Sequence, residues 1–252
     1  MPGLTDARLL ADAAAVAERA LAEDGASDVT SLVTVPASLR GRGVFEVRHG
    51  TVIAGLPYAD AVAERCGLGA VAWRVREGEP VPGGTVAGSA TGSMRALLRA
   101  ERSMLNLLQR ASGIATATRA YVDAVRHTRC TILHTRKTAP GLRTLDVAAV
   151  LAGGGGLHRL DLERTVMVKD NHWQALRQGG RTLADALDEA RRLGVAGLQV
   201  EVERPEQVDE AARAGATRLL VDNQTPATVR AWAERARALA PAIEIEATGG
   251  IT

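Results

Sequence analysis

The feature of this sequence that most restricts its fold is a series of short apolar runs, each followed by a polar cluster and then by helical periodicity. The runs cover residues 131–133, 166–168, 198–202, 219–221 and 243–245. Helical stretches between and after them cover 183–193, 205–214 and 226–239. Strands that alternate with helices predict a parallel sheet with crossover helices. The regular spacing of the last three strands is typical of an α/β barrel.

The N-terminal part has a different pattern. A helix is predicted over 4–24, two short strands over 43–56 around His49-Gly50, and a short helix from Tyr58 to Cys66. Residues 27–38 are rich in turn formers, and 71–92 alternate strands with turns. A long helical pattern over 94–125 has a break at Ser112-Gly113. These signals predict a mixed unit of helices and strands before the barrel.

Composition argues against several classes of function. The 31 basic and 29 acidic residues nearly balance, and aromatic residues make up 2%, so we expect no nucleic-acid partner. No apolar run is long enough to span a membrane, and the charged N-terminus does not resemble a signal peptide. Two cysteines, Cys66 and Cys130, form no disulfide framework or zinc motif, and we expect both to be inert core thiols. A cytoplasmic location is therefore expected.

Charged and small polar residues mark the ends of the apolar runs. They are His134, Arg136 and Lys137, then Lys169, then Glu201, then Asp222 and Asn223, and finally Thr248, Gly249 and Gly250. Because the carboxyl ends of parallel strands meet at one rim, where barrel enzymes place their active sites, we predict that these residues form an active site.

More basic residues extend this set. The glycines at 153–156 precede Leu157, His158 and Arg159, and they act either as an anion-binding nest or as a flexible linker. Arg102 lies on the long helix. Many like charges in one pocket are costly unless an anionic ligand compensates them. Glu201 and Asp222 are suited to hold Mg²⁺ together with a phosphate. The pattern predicts chemistry on a phosphorylated sugar and a carboxylated partner.

Seven segments resemble the quinolinate phosphoribosyltransferase family, in order and in spacing. They are 101–116, 135–143, 153–159, 168–172, 200–203, 219–223 and 246–251. The resemblance implies an α/β fold, with an N-terminal α/β sandwich domain over 1–112 that carries Arg102 and an open, incomplete α/β barrel over 113–252. It implies a pentosyltransferase that transfers phosphoribosyl from 5-phosphoribosyl 1-pyrophosphate to quinolinate. Decarboxylation then gives nicotinate mononucleotide, pyrophosphate and CO₂, in NAD biosynthesis. It also implies a homodimer or hexamer with shared active sites.

The resemblance also implies a role for each candidate residue. Arg102 of a neighbouring subunit, together with Arg136, His158, Arg159 and Lys169, would bind the quinolinate carboxylates. Lys137 would contact phosphoribosyl pyrophosphate and act with Glu201 and Asp222 in catalysis, the two acids also holding the Mg²⁺ cofactor. The 5′-phosphate would be received by Thr248, Gly249 and Gly250.

The sequence departs from the family pattern at three positions. His134, Leu157 and Asp161 stand where the family usually has Asp, Asn and Gly. They leave open the alternative of a related phosphoribosyltransferase for another aromatic carboxylate. The sequence also ends at Thr252, where the resemblance implies a further strand and a second glycine-containing phosphate loop. Either the sequence is truncated there or the protein lacks this segment, and the short C-terminus leaves open a second alternative, a catalytically inactive paralogue that binds anions.

Overall fold

A computed structural model describes residues 4–251, and the chain divides into two compact units, 1–158 and 159–252. The first unit combines small antiparallel sheets with helices, and the second is a parallel sheet with crossover helices. The α/β class predicted from the sequence is confirmed. The predicted domain boundary at residue 112 stays a prediction.

The first unit contains five helices and five strands among the described residues. The helices are α1 (Asp6–Glu23), α2 (Val29–Thr34), α3 (Leu56–Arg65), α4 (Met94–Val125) and α5 (Arg143–Ala152). The strands are β1 (Arg40–Glu46), β2 (Thr51–Val52), β3 (Ala72–Trp73), β4 (Pro80–Val81) and β5 (Val86–Ser93). They form a three-stranded sheet in the order β1-β5-β3 and a two-stranded sheet of β2 and β4, all antiparallel.

The core of the first unit lies where α1, α3 and α4 meet. The side chain of Thr5 caps α1 by accepting a hydrogen bond from the backbone N–H of Arg8. The apolar face of α1 buries Val16 and Leu21 against this core. Strand β1 alternates between an exposed and a half-buried face, and a Cβ at Gly41 would collide with the Met94 side chain on α4. Glycine at this position therefore allows the sheet to approach the long helix closely.

Four expectations for this unit were wrong. Helix α4 runs without interruption through Ser112-Gly113, since Ser112 binds the backbone of Ala54 and the space beside Gly113 is open. Residues 29–34, expected to be turns, form α2. Cys130 is exposed rather than a core thiol. Of the expected strand at 131–133, the structure shows a single parallel bridge from Leu133 to Gly156.

The second unit is built on four parallel strands, in the order β6 (Thr165–Val168), β7 (Gly197–Val202), β8 (Arg218–Asp222) and β9 (Glu244–Thr248). Helices α6 (Asp170–Gln178), α7 (Leu183–Arg192), α8 (Pro205–Arg213) and α9 (Pro226–Leu239) connect the strands. One face of the sheet is apolar and packs on these helices, burying Val200, Val202 and Leu219 against Leu187 and Trp232. The strand and helix pattern predicted here is confirmed.

Within residues 4–251, no helix is long and apolar enough to cross a membrane.

We predict that Leu219→Ala destabilises the second unit by about 2–5 kcal/mol, because Leu219 is fully buried and its truncation leaves a cavity. The matched control is Leu193→Ala, whose side chain is 76% exposed and whose loss should change stability by less than about 0.5 kcal/mol. Urea unfolding followed by tryptophan fluorescence measures both, since Trp173 and Trp232 lie in this core. Equal midpoints for the two variants would contradict the packing described.

Candidate active site

The register of the parallel sheet brings several predicted residues together. Glu201 pairs with Leu220, and Asp222 pairs with Thr248. Because side chains alternate along a strand, Leu220 and Asp222 share a face, and Glu201 lies on that face too. This face is opposite the one that packs on the helices. The sheet thus places two carboxylates near the carboxyl ends of β7 and β8.

Glu201 is paired with a cation. The Lys169 Nζ donates to Glu201 Oε2 at 2.5 Å, and only 9% of Glu201 is exposed. The backbone around this pair is also fixed, since the Lys169 N–H donates to His172 Nδ1 at 3.1 Å and Trp173 Nε1 donates to the Glu201 carbonyl at 2.9 Å. A buried carboxylate is tolerated when a cation and hydrogen bonds compensate its lost hydration. The Lys169 charge is therefore shared with Glu201.

Asp222 is held by a neutral group instead. The Asn223 Nδ2 donates to Asp222 Oδ2 at 2.6 Å. The turn that follows β9 is next to this pair, since a Cβ at Gly249 would collide with Asn223 Oδ1 and would lie 2.7 Å from Asp222 Oδ1. Gly249 and Gly250 both have positive φ, at 72° and 57°. The close approach requires glycine at 249, where a side chain would displace the carboxylate.

The donor set of Glu201 and Asp222 fits Mg²⁺. Magnesium is usually held by one or two carboxylates together with waters and substrate phosphates, rather than by a cage of protein ligands. Within residues 4–251, no cluster of three or more His, Cys, Asp or Glu side chains is placed to hold a metal ion. The hydrogen-bond partner of Asp222 is a neutral amide, whereas that of Glu201 is a lysine.

In the first unit, an ion pair with a buried carboxylate holds the loop that carries Arg136 and Lys137. The Arg110 guanidinium of α4 donates from Nε and Nη2 to the two carboxylate oxygens of Asp146 on α5, both at 2.7 Å. Asp146 Oδ2 also accepts from the Ala139 backbone N–H at 3.0 Å. Asp146 is 6% exposed. The pair fastens the basic loop to the two helices, and sequence reasoning missed it because its partners are distant in the chain.

Two histidines lie next to this loop. His134 and His158 are both buried, with ring centroids 6.4 Å apart in an edge-on arrangement. Burial lowers the pKa of His134, which favours the neutral ring. His134 Nε2 and Arg136 Nε are buried and have no hydrogen-bond partner in the described part of the chain. Buried polar atoms without partners are rare in proteins.

The glycines at 153–156 do not form the anion nest considered from the sequence. Their backbone N–H groups donate within the protein, to the carbonyls of Ala149, Leu151, Val150 and Ile132. A Cβ at Gly153 would lie 2.5 Å from the Ala115 carbonyl, and one at Gly156 would lie 2.7 Å from the Thr131 side chain. The glycines therefore allow this segment to pack closely against the rest of the first unit. They are not a flexible linker.

The remaining predicted residues lie on surfaces. Arg102 is exposed on α4, and Lys137 is exposed in its loop. Arg159 is half-buried and lines a cavity of about 600 Å³ in the second unit, together with Leu162 and Val166. The structure thus groups Lys169, Glu201, Asp222 and the 248–250 turn in the second unit. In the first unit it brings His134 and His158 together. The assignment of these residues to a function stays a prediction.

Comparison with known proteins gives one family over most of the chain. Residues 28–112 match the quinolinate phosphoribosyl transferase N-terminal domain, and residues 114–252 match the C-terminal domain. A nicotinate-nucleotide pyrophosphorylase [carboxylating] of Mycobacterium leprae is 38% identical over 240 residues, which cover 93% of this chain and 83% of the relative. A probable enzyme of the same name from Methanothermobacter thermautotrophicus is 33% identical, covering 94% of this chain and 85% of the relative.

A solved structure shows the same fold. The nicotinate-nucleotide pyrophosphorylase from Francisella tularensis superimposes with a TM-score of 0.87 at 26% identity, covering 96% of this chain and 84% of that one.

We predict that Arg110→Met destabilises the first unit by about 1.5–3 kcal/mol, since it leaves the buried Asp146 carboxylate without its cation. Asp146→Leu in the same chain should recover part of the loss. The control is Arg235→Met, which breaks an equally bidentate pair with Asp209 at the surface and should cost much less, because solvent screens the pair. Denaturant unfolding followed by circular dichroism measures both. Equal costs for the two arginines would refute the special role of the buried pair.

Proposed function

The chain belongs to the quinolinate phosphoribosyltransferase family, and from this we propose that it transfers phosphoribosyl from phosphoribosyl pyrophosphate to quinolinate. The C1′–oxygen bond to pyrophosphate breaks and a bond from C1′ to the pyridine nitrogen forms. The 2-carboxylate then leaves as CO₂, and a proton replaces it on the ring. The products are nicotinate mononucleotide, pyrophosphate and CO₂, in NAD biosynthesis.

The observation that carries this proposal is the set of groups at the carboxyl ends of β6–β9: Lys169 beside Glu201, and Asp222 beside the Gly249–Gly250 turn. Departure of pyrophosphate leaves positive charge on the ribose, and carboxylates held in place stabilise that charge. The glycine turn offers backbone without side chains, which is what close approach of a phosphate needs. We propose that Thr248, Gly249 and Gly250 bind the 5′-phosphate.

Bound Mg²⁺ would supply neutralisation of the pyrophosphate charge, and we propose Glu201 and Asp222 as its protein ligands. Lys137, exposed on its loop, would add a second cation toward the pyrophosphate. Arg136, His158, Arg159 and Lys169 would bind the quinolinate carboxylates. Loss of CO₂ leaves carbanion character beside the pyridinium nitrogen, and fixed cations stabilise that charge as it develops.

We also propose an assembly in which Arg102 serves the site of a neighbouring subunit. Arg102 lies on the same helix as Arg95 and Arg99, which donate to backbone carbonyls at Val35, Leu32, Ala26 and Gly25. These bonds hold α2 and the residues just before it. One face of α2 is apolar and exposed to solvent: Val29 is 65% exposed, Leu32 51% and Val33 77%. A contiguous apolar surface of this kind suits association. A homodimer or a hexamer, working in the cytoplasm, is the form we propose.

A related acid substrate is the second candidate, and His134 favours it. The family pattern has a carboxylate at this position, whereas here the ring is buried and its lowered pKa favours the neutral form. Replacing a negative group by a neutral one beside Arg136 changes the charge that an incoming carboxylate meets. An aromatic acid with a different arrangement of carboxylates would then be preferred. A chain that binds anions without turnover is the remaining alternative.

We predict that Asp222→Asn lowers kcat for quinolinate by about 10²–10³-fold, because it removes charge that stabilises the ribose in the transition state. Asp209→Asn, at a surface ion pair, is the control and should leave kcat unchanged. The assay follows CO₂ and nicotinate mononucleotide formed from quinolinate, phosphoribosyl pyrophosphate and Mg²⁺. Turnover of another pyridine or benzene carboxylate in place of quinolinate supports the second candidate. Binding without turnover of any acid supports the third.

We predict that Arg102→Ala and Lys169→Ala are each inactive alone, and that a mixture of the two regains about a quarter of wild-type activity. Random exchange of subunits in a dimer creates some sites in which both residues are intact. Subunit exchange is confirmed first with differently tagged chains. If exchanged mixtures stay inactive, Arg102 does not act across an interface.

A further inference from the structure

We propose that Asn223 is a positioning residue of this site. Its left-handed backbone and its side-chain amide together fix the Asp222 carboxylate against the glycine turn at 249–250. The inference deepens the proposed function and rests on it for the roles of Asp222 and the turn. The geometry that carries it belongs to the second unit alone.

The first observation is the backbone of Asn223. Its φ is 51°, and it is the one residue other than glycine with positive φ within residues 4–251. Asparagine tolerates this region better than most residues, while others cost about 1–2 kcal/mol there. Such conformations persist where the surroundings impose them, often at functional sites. At Asn223 the backbone N–H donates to the Thr248 carbonyl at 2.9 Å, just beyond the last pair of the β8–β9 ladder.

The second observation is the side chain. The amide NH₂ donates to Asp222 Oδ2 at 2.6 Å, and an ionised carboxylate can only accept. The amide carbonyl is therefore turned toward the glycine turn, where a Cβ at Gly249 would collide with it and one at Gly250 would lie 3.5 Å away. One small amide thus lies between the carboxylate and the backbone of the turn. Its position is set by the left-handed backbone from which it projects.

The third observation is the contrast with Glu201. Glu201 is held by the Lys169 ammonium, so the pair has no net charge. Asp222 is held by an uncharged amide, so its orientation is fixed while its full negative charge is kept. A cationic partner at Asp222 would reduce its attraction for a divalent cation or a developing positive charge. Partners of this kind around metal and catalytic groups commonly change affinity by about 10–100-fold when removed.

Two substitutions separate the backbone role from the amide role. Asn223→Gly keeps the left-handed conformation and removes the amide. Asn223→Ala removes the amide and also strains the backbone, so its unfolding equilibrium constant should exceed that of Asn223→Gly by about 5–30-fold. Gln178→Gly, at an exposed amide residue ending α6, is the control for an unspecific loss of side chain and should behave as the wild type.

The experiment measures binding by calorimetry, with inorganic pyrophosphate and Mg²⁺ as the probe and quinolinate as a separate ligand. Asn223→Gly should weaken the Mg²⁺-dependent binding of pyrophosphate by about tenfold, with quinolinate binding unchanged. In an Asp222→Asn background the same substitution should have no further effect, because the amide acts through that carboxylate. Effects that multiply in the double variant, or equal losses for both ligands, would overturn the positioning role.

A second readout is independent of ligands and of turnover. Hydrogen–deuterium exchange of the peptide containing 248–250 should be faster in Asn223→Gly than in the wild type and unchanged in Gln178→Gly. Unchanged exchange at the turn would overturn the proposal. If exchange at the turn is faster but the protein turns over no pyridine acid, the positioning role is supported and the proposed function is refuted. The two hypotheses can therefore fail separately.

Discussion

The register of the parallel sheet β6-β7-β8-β9 decides which side chains can meet at its carboxyl edge. Alternation along each strand sends Val200 and Val202 into the helix-covered core and Glu201 to the opposite face. A slip by one residue would place the carboxylate among the apolar helices and move the valines to the opposite face. The apolar residues that stabilise this unit therefore also specify the site. The same packing that makes the sheet stable holds the two acids on one face.

Within that constraint, the two acids are given different partners. A lysine neutralises Glu201, and an amide orients Asp222 without altering its charge. The first unit uses a third arrangement, in which the Arg110–Asp146 pair is complete in itself and holds the backbone of the basic loop. These ion pairs and amides thus fall into two groups. The first group holds the backbone in place, and the second leaves a charged side chain free to interact with a ligand. Arg136, whose buried Nε has no hydrogen-bond partner within residues 4–251, belongs to the second group.

Sequence patterns predicted the second unit well because its strands and helices are determined by residues close together in the chain. Four of the apolar runs lie within or beside strands β6 to β9, and helix α9 begins and ends where its periodicity does. The first unit was predicted less well because its details depend on distant contacts. Helix α2 is six residues long, too short to be stable alone, and it depends on the Asp28 cap and on arginines of α4. Likewise, charged residues at strand ends marked the site, while the Arg110–Asp146 pair and the left-handed Asn223 have no local signature.

The glycines at 153–156 have a consequence for how the histidine pocket can evolve. Gly153, Gly155 and Gly156 each lie against backbone or branched side chains of the protein, so most random substitutions there would displace the segment leading to His158. Neighbouring positions such as Leu157 and His134 have side chains that can be exchanged. A directed-evolution library aimed at new acid substrates would therefore be most productive with the glycine codons fixed and diversity confined to the flanking positions. During natural divergence, the same steric constraint would keep the glycines unchanged while the positions beside them vary.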